Sequence, residues 1–162
     1  MTNFNLNANT YYAYMRTLAA KHKDIGPDTK NSKRFFQGEL EDFCNGLRSD
    51  VVFPALVVEG FKINLTDNQE TKYRESAFAV VYNYDEHGSI PQQTEGFSNS
   101  EDIGSEILRR MMEDGDEADC IIRIEDISGI LILNETKRYC AVRFSFTLHN
   151  GNDTEIDTDK WR

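Results

Sequence analysis

The segment from Ile127 to Gly151, ISGILILNETKRYCAVRFSFTLHNG, constrains the fold more than any other part of the chain. Two runs rich in β-branched and aromatic residues flank the polar stretch NETKR, which is the pattern of a β-hairpin. In the second run apolar and polar residues alternate, with Val142, Phe144, Phe146 and Leu148 on one side and Arg143, Ser145, Thr147 and His149 on the other. We therefore predict a long hairpin with one face in a core and the other face in water or against a partner.

Two further segments read as strands. VVFPALVV predicts a strand over Val52–Val58, and Pro54 within it favours an edge or the first residues of a strand, because proline cannot donate to the ladder. SAFAVVYNY alternates over Ser76–Tyr84. Together with the hairpin, these segments predict the core sheet.

Helical spacing recurs in three places. The first helix is expected over Asn9–Lys23, capped by Asn9. RFFQGELEDFCNGLRS fits a second helix, or a short strand over Arg34–Phe36 followed by a helix. The third is expected over Glu101–Met112, with Ser98 and Glu101 as a capping box.

Before that third helix, the segment from Glu86 to Phe97 contains glycine, proline and polar residues, and we expect an exposed loop there. The predicted fold class is α+β, a mainly antiparallel sheet with a long hairpin and helices packed on one face. We expect a single domain over residues 1–162, comprising a helical N-terminal part (1–50), the sheet with its covering helix (51–149) and a C-terminal arm (150–162).

Charge and composition exclude several classes of protein. The net charge of −10 argues against a protein that binds nucleic acid through the phosphate backbone. Apolar runs such as VVFPALVV are far shorter than the ~20 residues that cross a bilayer. The first residues lack the pattern of a signal peptide, so we expect a protein kept in a cytoplasm, without a membrane partner.

No constellation of residues predicts catalysis, a cofactor or a metal. The three cysteines are widely spaced, and neither a zinc motif nor a phosphate-binding glycine loop occurs. The acidic run from Glu113 to Asp119 lacks the spacing of a calcium loop and reads as a solvated helix end. We therefore expect a structural or interaction protein, not an enzyme, with no cofactor.

The order of elements, with FPALVVEGF, SEDIGSEILRRMM, RYCAVRFSFTL and the terminal TDKW, resembles the tail terminator or tail-completion proteins of tailed bacteriophages. That resemblance implies a small α+β subunit of a virion. Such subunits assemble as rings, commonly hexameric, on the head-proximal end of the tail tube. It also implies contacts with tube and neck proteins, DNA that only passes through the lumen, and residence in the host cytoplasm during assembly.

The resemblance carries no catalytic residues, and it makes the segment from Glu86 to Phe97 and the C-terminal arm candidates for subunit contacts. Phe97 and Trp161 are aromatic groups in polar surroundings, as interface anchors often are. The candidate interface residues are His87, Ile90, Phe97, Arg143, His149 and Trp161. An acidic lumen would repel DNA phosphates and let the duplex move.

Three alternatives stay open. The chain could be another head-tail connector, such as a head-completion or neck protein. It could be an acidic adaptor that covers a basic surface of another protein. It could also be a small-ligand binder or an enzyme, with its pocket between helix and curved sheet near Tyr82, Tyr84 and His149.

Overall fold

The computed structural model describes residues 6–46, 49–65, 72–85, 88–116 and 123–149, and every structural statement below concerns these. Three helices and six strands alternate along this part of the chain. In chain order the elements are α1 (Ala8–Lys21), β1 (Lys33–Gln37), α2 (Leu40–Asn45), β2 (Val51–Val58), β3 (Lys62–Leu65), β4 (Lys72–Asn83), α3 (Ile90–Asp116), β5 (Arg123–Asn134) and β6 (Tyr139–His149).

The six strands form one sheet in the order β1-β2-β4-β6-β5, and β3 pairs with the first part of β4. Only β1 and β2 run parallel among the described pairs, so the predicted α+β class with a mainly antiparallel sheet is confirmed. The hairpin is also confirmed, since β5 and β6 pair along their length around the turn at 135–138.

Each face of the sheet has its own core. The larger core joins α1 and α3 to one face, through residues such as Met15, Phe78 and Met111. The smaller core lies on the opposite face, where α2 contributes Phe43 and Cys44. The two long helices thus share one face as expected, while the short α2 packs on the other.

Several predicted boundaries shift. Asn7, not Asn9, caps α1, with a reciprocal pair of hydrogen bonds to Thr10. The strand alternative near Arg34 is the one observed, because β1 precedes α2. Pro54 lies in an inner strand, where the β1–β2 pairing is irregular between Lys33 and Phe35 and therefore tolerates a missing donor.

The predicted loop from Glu86 to Phe97 is wrong, because α3 begins at Ile90 and runs unbroken to Asp116. Ser98 accordingly lies inside the helix and does not cap it. Gly96 signals a turn in sequence, but in the structure it lies inside the helix and faces the sheet, as Gly104 does. A Cβ at Gly96 would lie 2.4 Å from Cys140 Sγ, and one at Gly104 would lie 2.1 Å from Phe144 Cε2.

Between these glycines, Ser100 links α3 to two strands at once. It is fully buried, its hydroxyl donates to the carbonyl of Val80 in β4, and it accepts from the backbone N–H of Val142 in β6 at 2.8 Å. Gly96, Ser100 and Gly104 are spaced four residues apart and so share one side of the helix. This small-residue side lets the helix backbone approach the sheet closely.

Burial raises the pKa of two groups in the core, the Cys44 thiol and the Tyr11 phenol. Burial raises the pKa of the Cys44 thiol to about 11. Burial also raises the pKa of Tyr11 well above its usual range, although its hydrogen bond with Ser76, at 3.1 Å, lowers it in part. Both groups are therefore neutral in the folded protein at pH values where the unfolded chain would ionise.

We predict that Gly104→Ala destabilises the fold by about 1–3 kcal/mol, because the added methyl group meets the Phe144 ring and overpacking outweighs the gain in helix propensity. Urea unfolding followed by circular dichroism measures the change. Gly60→Ala is the matched control, since a Cβ there lies 3.5 Å from the Tyr12 hydroxyl, an ordinary contact. Equal unfolding midpoints for the two variants would contradict the close packing of α3.

We also predict that alkaline pH destabilises the protein partly through Cys44. Because its folded pKa is raised, the stabilisation is complete below the unfolded thiol value near ~8.5 and is lost as pH rises toward about 11. Between pH 7.5 and 10.5, urea unfolding should show a loss about 2 kcal/mol larger in the wild type than in Cys44→Val, which lacks the thiol. Equal losses in both proteins would contradict this.

Candidate subunit interface at the edge of the hairpin

Strand β5 forms one edge of the sheet. Within the described residues it pairs with β6 alone, so every second backbone N–H and C=O along its outer side faces away from the sheet. An edge of this kind is a template for pairing with another strand. Natural proteins usually blunt such edges with charges, bulges or short strands.

The first half of β5 is blunted in that way. Glu125 and Asp126 are exposed carboxylates, and Asp126 has a left-handed backbone with φ of 53°. The pairing with β6 shifts between Glu125 and Ser128, as in a β-bulge. Ile124 and Ile127 from this half pack against the larger core.

The second half carries no such protection. Ile130, Leu131, Ile132 and Leu133 follow one another without a charge, and three of them are strongly exposed. The exposed fractions are 58% for Ile130, 57% for Leu131 and 40% for Leu133. We name Ile130, Leu131 and Leu133 the β5 patch.

Pairing with β6 assigns the patch to the two faces of the sheet. Leu131 lies opposite Val142 and Leu133 opposite Cys140, so both project on the face that α3 covers. Ile130 lies opposite Arg143 and projects on the other face. The larger core stops short of this half of β5, so a strand or side chains from another chain can reach the patch from the edge.

Arg143 lies beside the patch and is held by an ion pair. Its Nε donates to both carboxylate oxygens of Glu59, at 3.0 and 3.2 Å, and Glu59 is 7% exposed. Glu59 also accepts from the backbone N–H of Leu40 at the start of α2, at 3.4 Å. The Glu59 carboxylate raises the pKa of Arg143. Arg143 therefore joins β6 to the end of β2 and to α2.

Around this ion pair the face is concave and acidic. Exposed Glu39, Glu41 and Asp42 line the hollow between α2 and the hairpin. Arg143 is the sole cation that lines it in the described part of the chain. This face would repel phosphate and attract a basic surface.

The structure separates the candidate interface residues. Ile90, the first residue of α3, is 78% exposed, whereas Phe97 is half-buried inside the helix. His149 ends β6, six residues beyond Arg143, which is about 20 Å along a strand. His87, Trp161 and the His149 side chain lie outside the described residues.

The structure does not bring Tyr82 and His149 together, so the alternative of a small-ligand pocket near Tyr82, Tyr84 and His149 is wrong. Tyr82 pairs with Cys140 at one end of the β4–β6 ladder, and His149 pairs with Tyr73 at the other. The two ends are nine residues apart, or about 30 Å. Burial raises the pKa of the Tyr82 phenol, which fits a tyrosine partly enclosed by the core.

A hollow lies instead between α1 and α3. Leu18 and Ile107 form its apolar floor. At its rim, His22 Nε2 meets Glu106 at 2.7 Å, and the Tyr14 hydroxyl donates to Asp114 at 2.8 Å. These polar groups are paired with one another across the hollow. The hollow is therefore better described as part of the packing between α1 and α3 than as a ligand-binding site.

The sequence analysis predicted the hairpin but did not predict the β5 patch. The available signal was the unbroken run ILIL, which lacks the polar alternation of a strand with one wet face. α3 leaves one end of the hairpin uncovered. Long-range packing decides which end this is, and sequence periodicity does not encode that packing.

We predict that Arg143→Met destabilises the protein by about 2–4 kcal/mol, because it leaves the buried Glu59 carboxylate without its cation. Urea unfolding at pH 7 measures the loss. Arg110→Met is the matched control, since the Arg110 side chain is 58% exposed and its pair with Asp114 should contribute below ~1 kcal/mol. Similar losses of stability in both variants would mean that the Arg143–Glu59 ion pair contributes no more than an exposed ion pair.

Comparison with protein-family models and with curated proteins finds no match for this chain. In the described part of the chain, no group of three or more histidine, cysteine or acidic side chains is placed to hold a metal ion. No helix within the same residues combines the length and apolar character needed to cross a membrane.

Proposed function

We propose that this protein is a structural subunit of a tailed-phage virion that assembles into a ring at the head-proximal end of the tail. The observation that carries the proposal is the β5 patch, an uncharged apolar run on a strand edge that has no partner strand among the described residues. A surface of this kind marks an association site more than a catalytic one. The bacteriophage assignment itself rests on the resemblance in sequence pattern.

The size of the patch decides what type of assembly it supports. Full burial of an aliphatic side chain contributes about 1.5–3 kcal/mol, and the three residues are roughly half exposed, so covering them contributes about 3 kcal/mol. Micromolar pairing needs about 8 kcal/mol. One contact is therefore weak, whereas a closed ring gives each subunit two contacts and makes the last closure intramolecular.

The charge of the chain suits the same role. Identical subunits with a charge of −10 repel one another, so contacts should form where charge is lowest. The acidic hollow beside Arg143 lies on the face opposite α1 and α3, and as the lumen side of a ring it would repel passing DNA. Tail tube and neck proteins would be the other partners, within the virion, after assembly in the host cytoplasm.

We predict that the wild-type protein forms a closed oligomer, with a hexamer as the expected size, as its concentration rises. Leu131→Glu should raise the concentration needed at least tenfold, because a carboxylate on the edge cannot be buried without a partner. Native mass spectrometry and light scattering measure both. Met112→Glu is the control, since Met112 is 43% exposed on α3 and away from the edge, and it should associate as the wild type does.

A strict monomer at all concentrations would contradict self-driven ring assembly and would favour the adaptor alternative. The position in the virion has its own test. Antibody against this chain, used for immunogold labelling of tailed particles, should mark the junction of head and tail. Label elsewhere on the particle would overturn the terminator role and leave a different virion role.

A further inference from the structure

The backbone of the β5 patch is oriented for pairing with one more strand. Ser100 bridges the carbonyl of Val80 and the N–H of Val142, so Val142 directs its backbone polar groups toward β4 and away from β5. Leu131 lies opposite Val142 in the β5–β6 ladder, and Leu133 follows two residues later. The N–H and C=O groups of both leucines therefore point out of the sheet.

Among the described residues, neither of the other edge strands offers a partner at the level of the patch. Through the ladders, Leu131 is level with Phe35 of β1. Asp28 Oδ1 already accepts from the backbone N–H of Phe35, at 3.1 Å. Ile63 of β3 is level with Ile124, in the blunted half of β5. A two-fold axis, by contrast, sets the β5 edge against itself and so is always level.

A two-fold axis through Ile132, perpendicular to the sheet, matches the exposed leucines with one another. Leu131 of each copy then lies opposite Leu133 of the other, and Ile132 lies opposite itself. Because the leucines carry the outward-facing backbone groups, each opposed leucine pair exchanges both of its N–H···O bonds. An axis through Leu131 would instead set Leu133 against Gly129, which has no side chain to cover it.

The helices leave room for this pair. α3 lies over β4 and β6, where Ser100 contacts both strands. Neighbouring strands are about 4.8 Å apart, so β6 of one copy would lie about 14 Å from β6 of the other. Packed helices need only about 8–10 Å between their axes, so the two α3 helices would not collide. Leu131 and Leu133 of both copies would lie in the space between these helices, sheltered from water.

Charge favours the same arrangement. Asp126 lies six residues before Ile132, about 20 Å along the strand, so the pairing buries no carboxylate of β5. In the second copy this half of β5 runs past the hairpin turn of the first. The turn carries two cations, Lys137 and Arg138, and one carboxylate, Glu135. Each turn therefore approaches Asp126 of the other copy with a positive charge, which favours the antiparallel pair.

We propose that β5 pairs antiparallel with β5 of a second copy, about a two-fold axis through Ile132. The second copy supplies, at the level of the patch, both the apolar side chains and the outward-facing backbone groups that the edge lacks. The covered area is small, so the pair should be weak, with a Kd on the order of 10–100 μM.

This inference goes beyond the proposed ring. An edge that is paired with its own copy is closed to other strands, so the pair is a state of the free subunit. A ring formed through the same edge would require the pair to open.

Disulfide trapping with single cysteines tests the pairing, because a residue on a two-fold axis cross-links to itself. In a Cys120→Ser background, Ile132→Cys is compared with Leu131→Cys. The native Cys44 and Cys140 are buried. Opposed Cβ atoms at position 132 would be about 4.5–5.5 Å apart, near the reach of a disulfide, whereas those at position 131 would be about 7–8 Å apart.

Ile63→Cys in the same background is the matched control, since Ile63 is a 55% exposed apolar residue on another edge strand. After oxidation with diamide, Ile132→Cys should give at least tenfold more covalent dimer on non-reducing gels than Ile63→Cys or Leu131→Cys. Adding Leu131→Glu to Ile132→Cys should remove this excess, because the pairing would bury a carboxylate without a partner. Circular dichroism checks that each variant is folded.

Equal dimer yields at positions 132 and 63 would indicate random collision and would overturn the pairing. A maximum for Leu131→Cys would overturn the axis through Ile132. Absence of a cross-link at every position would overturn the inference. If deletion of residues 150–162 then produced the dimer, the C-terminal arm, and not a second copy, would be the occupant of the edge.

Native mass spectrometry of the wild type separates this inference from the proposed function. Dimers alone, together with the cross-link at position 132, would support the pairing and overturn self-driven ring assembly. A hexamer without that cross-link would overturn the pairing and leave the ring standing. Dimers that give way to hexamers as the concentration rises would support both.

Discussion

The close approach of α3 to the β4–β6 pair is the constraint on which the rest of the structure depends. Gly96 and Gly104 leave no room for a Cβ, and Ser100 between them bonds to both strands. A helix held at this distance buries the middle of the sheet completely, as the fully enclosed Phe78 and Val80 show. Its position also determines which strands remain beyond its reach.

That unequal cover explains where the surface is apolar. The central strands are enclosed by helices on both faces, so their side chains need no alternation and are buried throughout. The outer strands extend past the helices while keeping the apolar residues that sheet packing favours, and Leu131 and Ile63 are therefore exposed. Exposed apolar side chains at both edges follow from a core that is centred on α3.

Periodicity predicted the strands well because alternation is a local property, and the hairpin, β2 and β4 were all anticipated within a few residues. It failed for the start of α3, since Gly96 is a turn signal in sequence and a packing residue in the fold. Arg143 was identified as a candidate contact, yet its partner Glu59 is 84 residues away and no local pattern links them. The β5 patch was missed for the same reason, because exposure at an edge is decided by elements far along the chain.

Charge and apolar edges together determine how such a subunit can associate. Copies with a net charge of −10 repel at distances up to the Debye length, which is about 8–10 Å in physiological salt. The exposed apolar side chains at the edges, such as Leu131 and Ile63, carry no charge, so attraction between them acts only after the chains are in contact. Association of this kind is slow between free subunits and favoured on a template that already holds them close. For the ring subunit proposed above, this balance would favour assembly where the local concentration of subunits is high, because repulsion keeps dilute chains apart while the edges remain able to pair.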